Sequence, residues 1–314
     1  DFLPEGHYSV REANMFHILL SVYCLSVWIL LTCVTTAQAT SLIMGSISNE
    51  PAVETRLFAP VARYLAKQLA SQEITNGDVV VAANIKEMVE YLKNRQVDFY
   101  LESPMSSIVI NHLAGSKMTL RRWKKGHAEY RSVIFVKQQS PIQNLAQLAG
   151  KRIGFKDPYS SSGYILPRIA MKQAGLQLMQ LPDARAKVPE DKTGYVFNND
   201  DENTIVWVLH GRIDAGAMGS TMLDDYAKGD LNKLRIIHET FSIPRHVVNL
   251  RKDFPDHLEQ PLLKAFLEMD QNPEGKAILE AFEKTKRFDH LPNETHEQLQ
   301  QITPTVLEIM DVKP

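Results

Sequence analysis

The chain is predicted to be a two-lobed α/β protein that holds a ligand in the cleft between its lobes. Short apolar strands alternate with helical stretches, and the alternation runs through two sets in series. In the second set a polar turn, Asp157-Pro158-Tyr159-Ser160-Ser161-Ser162-Gly163, stands between a strand and a helix. Alternation of this kind builds parallel sheets from βαβ units. Ligands of such sheets sit at the carboxyl ends of the strands, or in the cleft between two of them.

Residues 1–39 read differently from the rest. Ile18–Val34 is almost wholly apolar and is followed by Ala37-Gln38-Ala39, which fits a signal peptide with an A-x-A cleavage pattern. Met15 would start it, leaving residues 1–14 as an upstream extension, and the mature chain would begin at Thr40. A membrane anchor is the alternative, because the apolar run approaches the length of a span. A lipoprotein reading of Leu30-Leu31-Thr32-Cys33 is weaker, since Thr32 is large for the position before the cysteine.

From Thr40 onward the elements follow in order. Ser41–Ile47 reads as a strand, and Glu54–Ala70 sets Leu57, Phe58, Val61, Leu65 and Leu69 at helical spacing. Asp78–Ala83 is a strand, Ile85–Asn94 a helix, Val97–Leu101 a strand and Pro104–Ala114 a helix. Ser132–Lys137 is a strand; Leu145–Leu148 a short helix; Arg152–Phe155 a strand; Gly163–Gln173 a helix ended by Gly175. Residues 182–200 are polar and irregular. Asn203–His210 is a helix closed by Gly211, with strands at Ile213–Ala217 and Leu234–Ile237. Residues 256–311 are mostly helical, broken near Pro273, Pro292 and Pro304. The expected division is 1–39 as extension and signal peptide, 40–136 as the first lobe with 241–314 returning to it, and 137–240 as the second.

Composition narrows the function. The 314 residues are 44% hydrophobic and 23% charged, an ordinary globular balance. Both cysteines, Cys24 and Cys33, lie in the N-terminal segment, so the mature chain has no disulfide, thiol nucleophile or thiolate zinc site. Beyond residue 39 the acidic and basic residues balance, which argues against nucleic acid as a partner. No H-E-x-x-H, G-x-S-x-G, Walker A or G-x-G-x-x-G pattern is present, and three consecutive serines are no nucleophile without a positioned base. No metal or other cofactor is expected. The basic run Arg121-Arg122-Trp123-Lys124-Lys125-Gly126-His127 reads as the solvated face of an edge strand or hairpin, with attraction of an anion or a membrane surface as the alternative.

The chemistry concentrates in Lys151–Gly163. Where a turn enters a helix, the first N–H groups lack partners and the helix dipole adds partial positive charge. Three hydroxyls can donate there as well, which makes an anion site for phosphate, phosphonate, sulfate or carboxylate. Serine is also a common N-cap, so a plain solvated turn explains the same residues.

The segment resembles the DP-x-S-T-S-G signature of the substrate-binding proteins of phosphate/phosphite/phosphonate ABC transporters. Gly45–Asn49 with Leu57–Leu65, Val97-Asp98 with Ser103-Pro104, and Tyr130–Ile134 resemble further family segments. So do Ser140–Lys151, Gly211–Ala217 and Ile243-Pro244. The resemblance implies a two-lobed periplasmic-binding-protein fold whose serine turn, here Ser160, Ser161 and Ser162, holds the phosphoryl oxygens. It also implies ligand contacts from first-lobe loops and tyrosines, for which Ser46, Ser48 and Asn49 after the first strand, Glu102 and Ser103 after the third, and Tyr130 and Arg131 near the crossover are candidates; each taken alone reads more readily as surface or packing. The position of the family's histidine is Asp201, which would repel a dianion unless paired, or would serve as a helix N-cap. The positions that read an amine in aminoalkylphosphonate binders correspond to Thr221 and His246, neither of them acidic. The implied protein is a monomeric, periplasmic, non-enzymatic binder of a small anion, handing it to an ABC permease. A ligand sensor acting through a membrane kinase or cyclase is the alternative, and an enzyme on this fold a remote third.

Overall fold

The structure is a computed structural model that describes residues 40–312; the signal-peptide reading of 1–39 lies outside the described residues. In chain order the elements are β1 (Thr40–Ile47), α1 (Pro51–Gln68), β2 (Ile74–Ala82), α2 (Ile85–Lys93), β3 (Phe99–Glu102), α3 (Pro104–Ala114), β4 (Lys117–Arg122), β5 (Glu129–Tyr130) and β6 (Ser132–Lys137). There follow β7 (Arg152–Phe155), α4 (Leu166–Gln173), β8 (Leu178–Gln180), β9 (Thr193–Phe197), α5 (Asp201–Leu209), β10 (Ala215–Gly219), α6 (Ser220–Tyr226) and β11 (Leu234–Glu239). The last are β12 (Ile243–Pro244), β13 (His246–Leu250), α7 (Asp256–Leu267), α8 (Pro273–Ala281), β14 (Phe288–His290) and α9 (Asn293–Ile309).

Two six-stranded sheets result. The first has the order β14-β4-β13-β3-β1-β2, parallel among β1, β2 and β3 and antiparallel elsewhere. The second has the order β11-β6-β10-β7-β9-β8, with β6 antiparallel to its two neighbours and the rest parallel. The chain passes between sheets at a two-stranded ribbon, where β5 meets β12 through Tyr130 and Ile243. β6 pairs wholly in the second sheet, so the sheets divide between β5 and β6, before the expected boundary at residue 136.

The parallel strands are apolar runs because helices cover their faces. α1 lays Phe58, Val61, Leu65 and Ala66 on the first sheet. Gly77 of β2 lets that helix approach, since a β-carbon there would stand 2.1 Å from the Ala62 carbonyl oxygen. Each sheet repeats one device. Asp98 Oδ2 accepts the Ile43 amide at 2.8 Å, and Asp214 Oδ2 accepts the Arg152 amide at 2.8 Å. In return the Asp98 amide donates to the Ile43 carbonyl and the Asp214 amide to the Arg152 carbonyl, both at 2.9 Å. Each aspartate thereby fixes the register of the strand it precedes against its parallel neighbour.

The C-terminal helix α9 spans the two lobes. Its Leu299, Ile302 and Val306 share a buried cluster with Ile108 and Val109 of α3 and with Ile165 and Ile169 beside the second sheet. The expected break at Pro304 does not occur. Proline removes the hydrogen bond to the carbonyl four residues back, which is that of Gln300, and Gln300 is exposed, so water can take the place of the missing donor.

The basic run at 121–127 is a second departure. β4 lies between β14 and β13, not at an edge. Arg122 is 0% exposed; its Nε donates to Thr285 Oγ1 at 2.8 Å, its Nη2 to the Phe282 carbonyl at 2.7 Å, and Glu283 pairs with it at 3.1 Å. Its guanidinium lies 3.6 Å from the centroid of the Phe282 ring. Arg121 pairs with Asp289 and Glu129, Lys124 with Glu283, and Trp123 lies under Arg287. Arg121, Arg122 and Lys124 find these partners because β14 and the segment before it, from the far end of the chain, close over them, while Lys125 and His127 stay exposed at the tip of a hairpin. Burial lowers the Arg122 pKa to about 10 against the pull of Glu283. Removing one partner of a buried pair typically costs about 3–5 kcal/mol. Arg122→Ala should therefore lower the unfolding free energy by that amount in urea denaturation. A loss below about 1 kcal/mol, the level of an exposed ion pair, would show that the site is solvated after all.

Candidate functional site

The strand ends of both sheets converge on one cleft of about 650 Å³. Ile47, Ser48 and Asn49 enter its wall after β1, and Glu102, Ser103 and Ser106 after β3. Asn84, whose side chain caps α2 by accepting the Glu87 amide at 3.0 Å, adds a further polar group. From the second sheet come Lys156 to Ser162 and Asn199, and from the crossing ribbon Tyr130.

The serine turn is held from several sides. Asp157 Oδ1 accepts the Tyr159 amide at 2.8 Å, and Ser160 Oγ accepts the Gly163 amide at 3.0 Å, so Ser160 is the N-cap. The helix opens with a wide turn at Ser161–Ile165, in which the Ile165 amide reaches the Ser160 carbonyl at 3.0 Å. Gly163 permits this packing, because a β-carbon there would meet Lys156 Cβ at 2.7 Å. Ser132 Oγ, on β6, donates to the Ser162 carbonyl at 2.6 Å and ties the turn to the sheet. With the turn fixed in this way, Ser161 Oγ is buried in the cleft wall without a hydrogen-bond partner. A buried hydroxyl without a partner is costly, and the first-turn amides beside it are likewise free of helical bonds.

Charge around the cleft is mixed. Lys156 Nζ binds Asp201 Oδ2 at 2.9 Å. Burial disfavours the Lys156 ammonium, but the Asp201 hydrogen bond and charge outweigh it and raise its pKa. Asp201 is therefore paired, and is not the N-cap; Asp200 caps α5 by accepting the Glu202 amide at 2.6 Å. Glu102 Oε2 accepts the Ser103 amide at 2.9 Å. Burial pushes its carboxyl up to about 7, with Glu54 adding to the rise and the Ser103 amide and Lys124 opposing it. The Arg245 guanidinium stacks 4.5 Å from the centroid of the Tyr130 ring. Burial raises the Tyr130 hydroxyl, against the charge of Arg245 and the neighbouring hydroxyls of Ser162 and Ser161.

Of the residues singled out from sequence, Ser160, Ser161, Ser162, Tyr130, Glu102, Ser103, Ser48 and Asn49 meet in this cleft. Arg131 and four others do not line it. Ser46 is 1% exposed and donates to Glu54 Oε1 at 2.5 Å, because alternation along β1 turns it inward. Asp201 stands behind Lys156. Thr221 lines a separate cavity with Arg245, Asp225 and Lys125, on the other side of the Tyr130–Arg245 stack. His246, paired in register with Arg122, is partly buried in β13, and burial followed by the charges of Lys124, Arg122 and Arg245 holds its pKa well below the ordinary value. Lys156, Asn84 and Tyr159 were not anticipated. Lys156 was within reach of the strand-end rule, being the first residue after β7. Among the described residues no group of histidine, cysteine and carboxylate side chains could hold a metal ion, and no helix is long and apolar enough to cross a membrane.

A family model described as "ABC transporter, phosphonate, periplasmic substrate-binding protein" matches residues 44–295. The phosphonates-binding periplasmic protein of Escherichia coli (strain K12) is 26% identical over 162 residues, 49% of this chain and 45% of that protein. The chain spans about half the length of the curated relatives it matches. XAC2383 from Xanthomonas citri, solved bound to ATP, superposes with a TM-score of 0.80 at 24% identity, covering 87% of this chain and 99% of that one. PhnD1 from Prochlorococcus marinus (MIT 9301), solved in complex with methylphosphonate, superposes at 0.61 and 20% identity, covering 86% and 99%. The two superpositions establish the two-lobed periplasmic-binding-protein fold. The family model extends over well above half of the sequence, from β1 to the start of α9, and on that match the chain belongs to the phosphonate periplasmic substrate-binding proteins of ABC transporters.

Proposed function

We propose that the chain captures a small phosphate- or phosphonate-like anion in this cleft and presents it to the membrane permease of an ABC importer. The observation that carries the reading is Ser161 Oγ, buried in the cleft wall with no hydrogen-bond partner at the first turn of a helix. An oxyanion supplies the acceptor that this hydroxyl lacks. Tyr130 stands on the ribbon between the sheets and lines the same cleft, so a ligand held by the serine turn also touches the crossover. Rotation about that ribbon would close the lobes, and the closed form is what a permease can distinguish from the empty one. No chemical step is required. The transport family to which the chain belongs favours this role over the sensor alternative. The protein would act as a monomer in the periplasm after cleavage behind Ala39. β1 begins at Thr40, directly after that site, so N-terminal sequencing of the exported protein should read Thr40 first; a retained Ile18–Val34 segment would show an anchor instead.

Hydrogen bonds to a charged ligand contribute about 1.5–3 kcal/mol each. The double variant Ser161→Ala/Ser162→Ala should therefore bind methylphosphonate roughly a hundredfold more weakly in calorimetric titration, while still folding because Ser160 keeps the cap. Unchanged affinity would place the ligand elsewhere.

Lys156 is expected to act through its pairing. Lys156→Met leaves the Asp201 carboxylate unpaired just behind the cleft wall, and should weaken methylphosphonate binding by about tenfold or more. The double variant Lys156→Met/Asp201→Asn should recover part of that loss, since the uncompensated negative charge is gone. No recovery would mean that the lysine contacts the anion directly.

A further inference from the structure

Glu102 is a carboxylate in the wall of a cleft whose other wall is built to bind an anion. It ends β3 of the first sheet, while the serine turn stands on the second, and both line the same space. The protein does not neutralise it. Among the described residues Glu102 takes part in no ion pair; its Oε2 takes only the Ser103 amide, and Ile47 contributes a second backbone amide nearby. Lys124, the cation beside it, is engaged with Glu283 at 2.8 Å.

The other groups around it do not supply positive charge either. α1 contributes Glu54, which takes the Ser46 hydroxyl; β5 contributes Tyr130, and Tyr100 precedes Glu102 on its own strand. His246 neighbours Val247, the residue paired with Glu102, and is held neutral. Across the cleft, Lys156 is bound to Asp201. Two anionic oxygens facing each other across a closed cleft repel unless a proton lies between them.

We propose that Glu102 is a ligand-contact residue that shares a proton with the bound oxyanion, so that capture of the anion is accompanied by uptake of a proton. The proposal rests on the anion reading of the cleft. With ligand absent, the carboxyl loses its proton as pH rises through about 7, because burial and Glu54 hold it there. With ligand present, the added negative charge keeps the proton on to higher pH. Between those two limits binding must draw a proton from solution, and affinity falls by up to about tenfold per pH unit.

The test is calorimetric titration with methylphosphonate at pH 7, 8 and 8.5, each in two buffers of different ionisation heat, for wild type and Glu102→Gln. The ligand's own titration is common to both proteins and cancels in the difference. At pH 8 and above the wild type should take up more protons than the variant, by close to one. Its affinity should fall relative to the variant as pH rises, while the two agree within about tenfold at pH 7, since glutamine can still donate to the anion. Equal proton uptake in the two proteins overturns the proposal. A folded variant that loses binding at every pH also overturns it, since a donor at this position would then not be what holds the anion. If neither protein binds methylphosphonate, inorganic phosphate or sulfate, the anion reading falls and this proposal with it. Should Glu102→Gln fail to fold, Glu102→Ala, which removes the carboxyl, is titrated in its place, and uptake equal to the wild type's is again the overturning result.

Discussion

The carboxyl ends of β1, β3 and β7 meet at one cleft because their registers are locked, and two aspartates do much of the locking. Asp98 and Asp214 each stand just before a strand and close a paired hydrogen bond on the residue opposite. A parallel strand that slipped by one residue would turn every side chain to the other face. At β3 such a slip would carry Glu102 and Ser103 out of the cleft. At β10 it would move Gly219, where a β-carbon would lie 3.2 Å from Ser162 Oγ and 3.4 Å from Tyr130 Cδ2. Within Gly211–Ala217 the aspartate sets a register and Gly216 leaves room for Thr204 and Phe135, and two residues on, Gly219 lets the serine turn and Tyr130 come together.

A second constraint is the distribution of charge behind the cleft. Arg122, Lys124 and Arg245 influence one another and His246, and they are met by Glu283, Glu54 and Glu102. The knot is formed by residues distant in sequence, drawn from α1, β3, β4, β13 and the segment after α8. Buried charge of this kind adds little net stability but penalises any arrangement that separates the partners. Here it joins the first sheet to the crossing ribbon, since Arg245 also stacks on Tyr130. The site is thereby coupled to the place where the lobes would hinge.

Much of this was legible in advance. Alternation of apolar runs with helical spacing, the Asp157–Gly163 turn and the glycines closing the helices are local signals, and local hydrogen bonds and side-chain period realise them. That a serine of this turn could cap the helix needed only the geometry of a helix start. The failures share a different origin. Arg121 and Arg122 looked solvated because the strand that covers them, β14, lies more than 150 residues away. Asp201 looked repulsive because its partner, Lys156, belongs to another strand end. Thr221 and His246 were placed by sequence correspondence, but Thr221 lines a separate cavity with Arg245 and His246 lies in β13 opposite Arg122.

The sequence by itself determined the fold class, the order of the elements and the turn that offers donors to an anion, because each depends on residues within a few positions of one another. Only the tertiary structure decided which of the polar groups face one another. Pairing Lys156 with Asp201, closing Glu283 on Arg122 and leaving Glu102 outside the ion pairs all require long-range strand order and burial. The electrostatics of a site depend on distances in space, and those follow from how the two sheets pack.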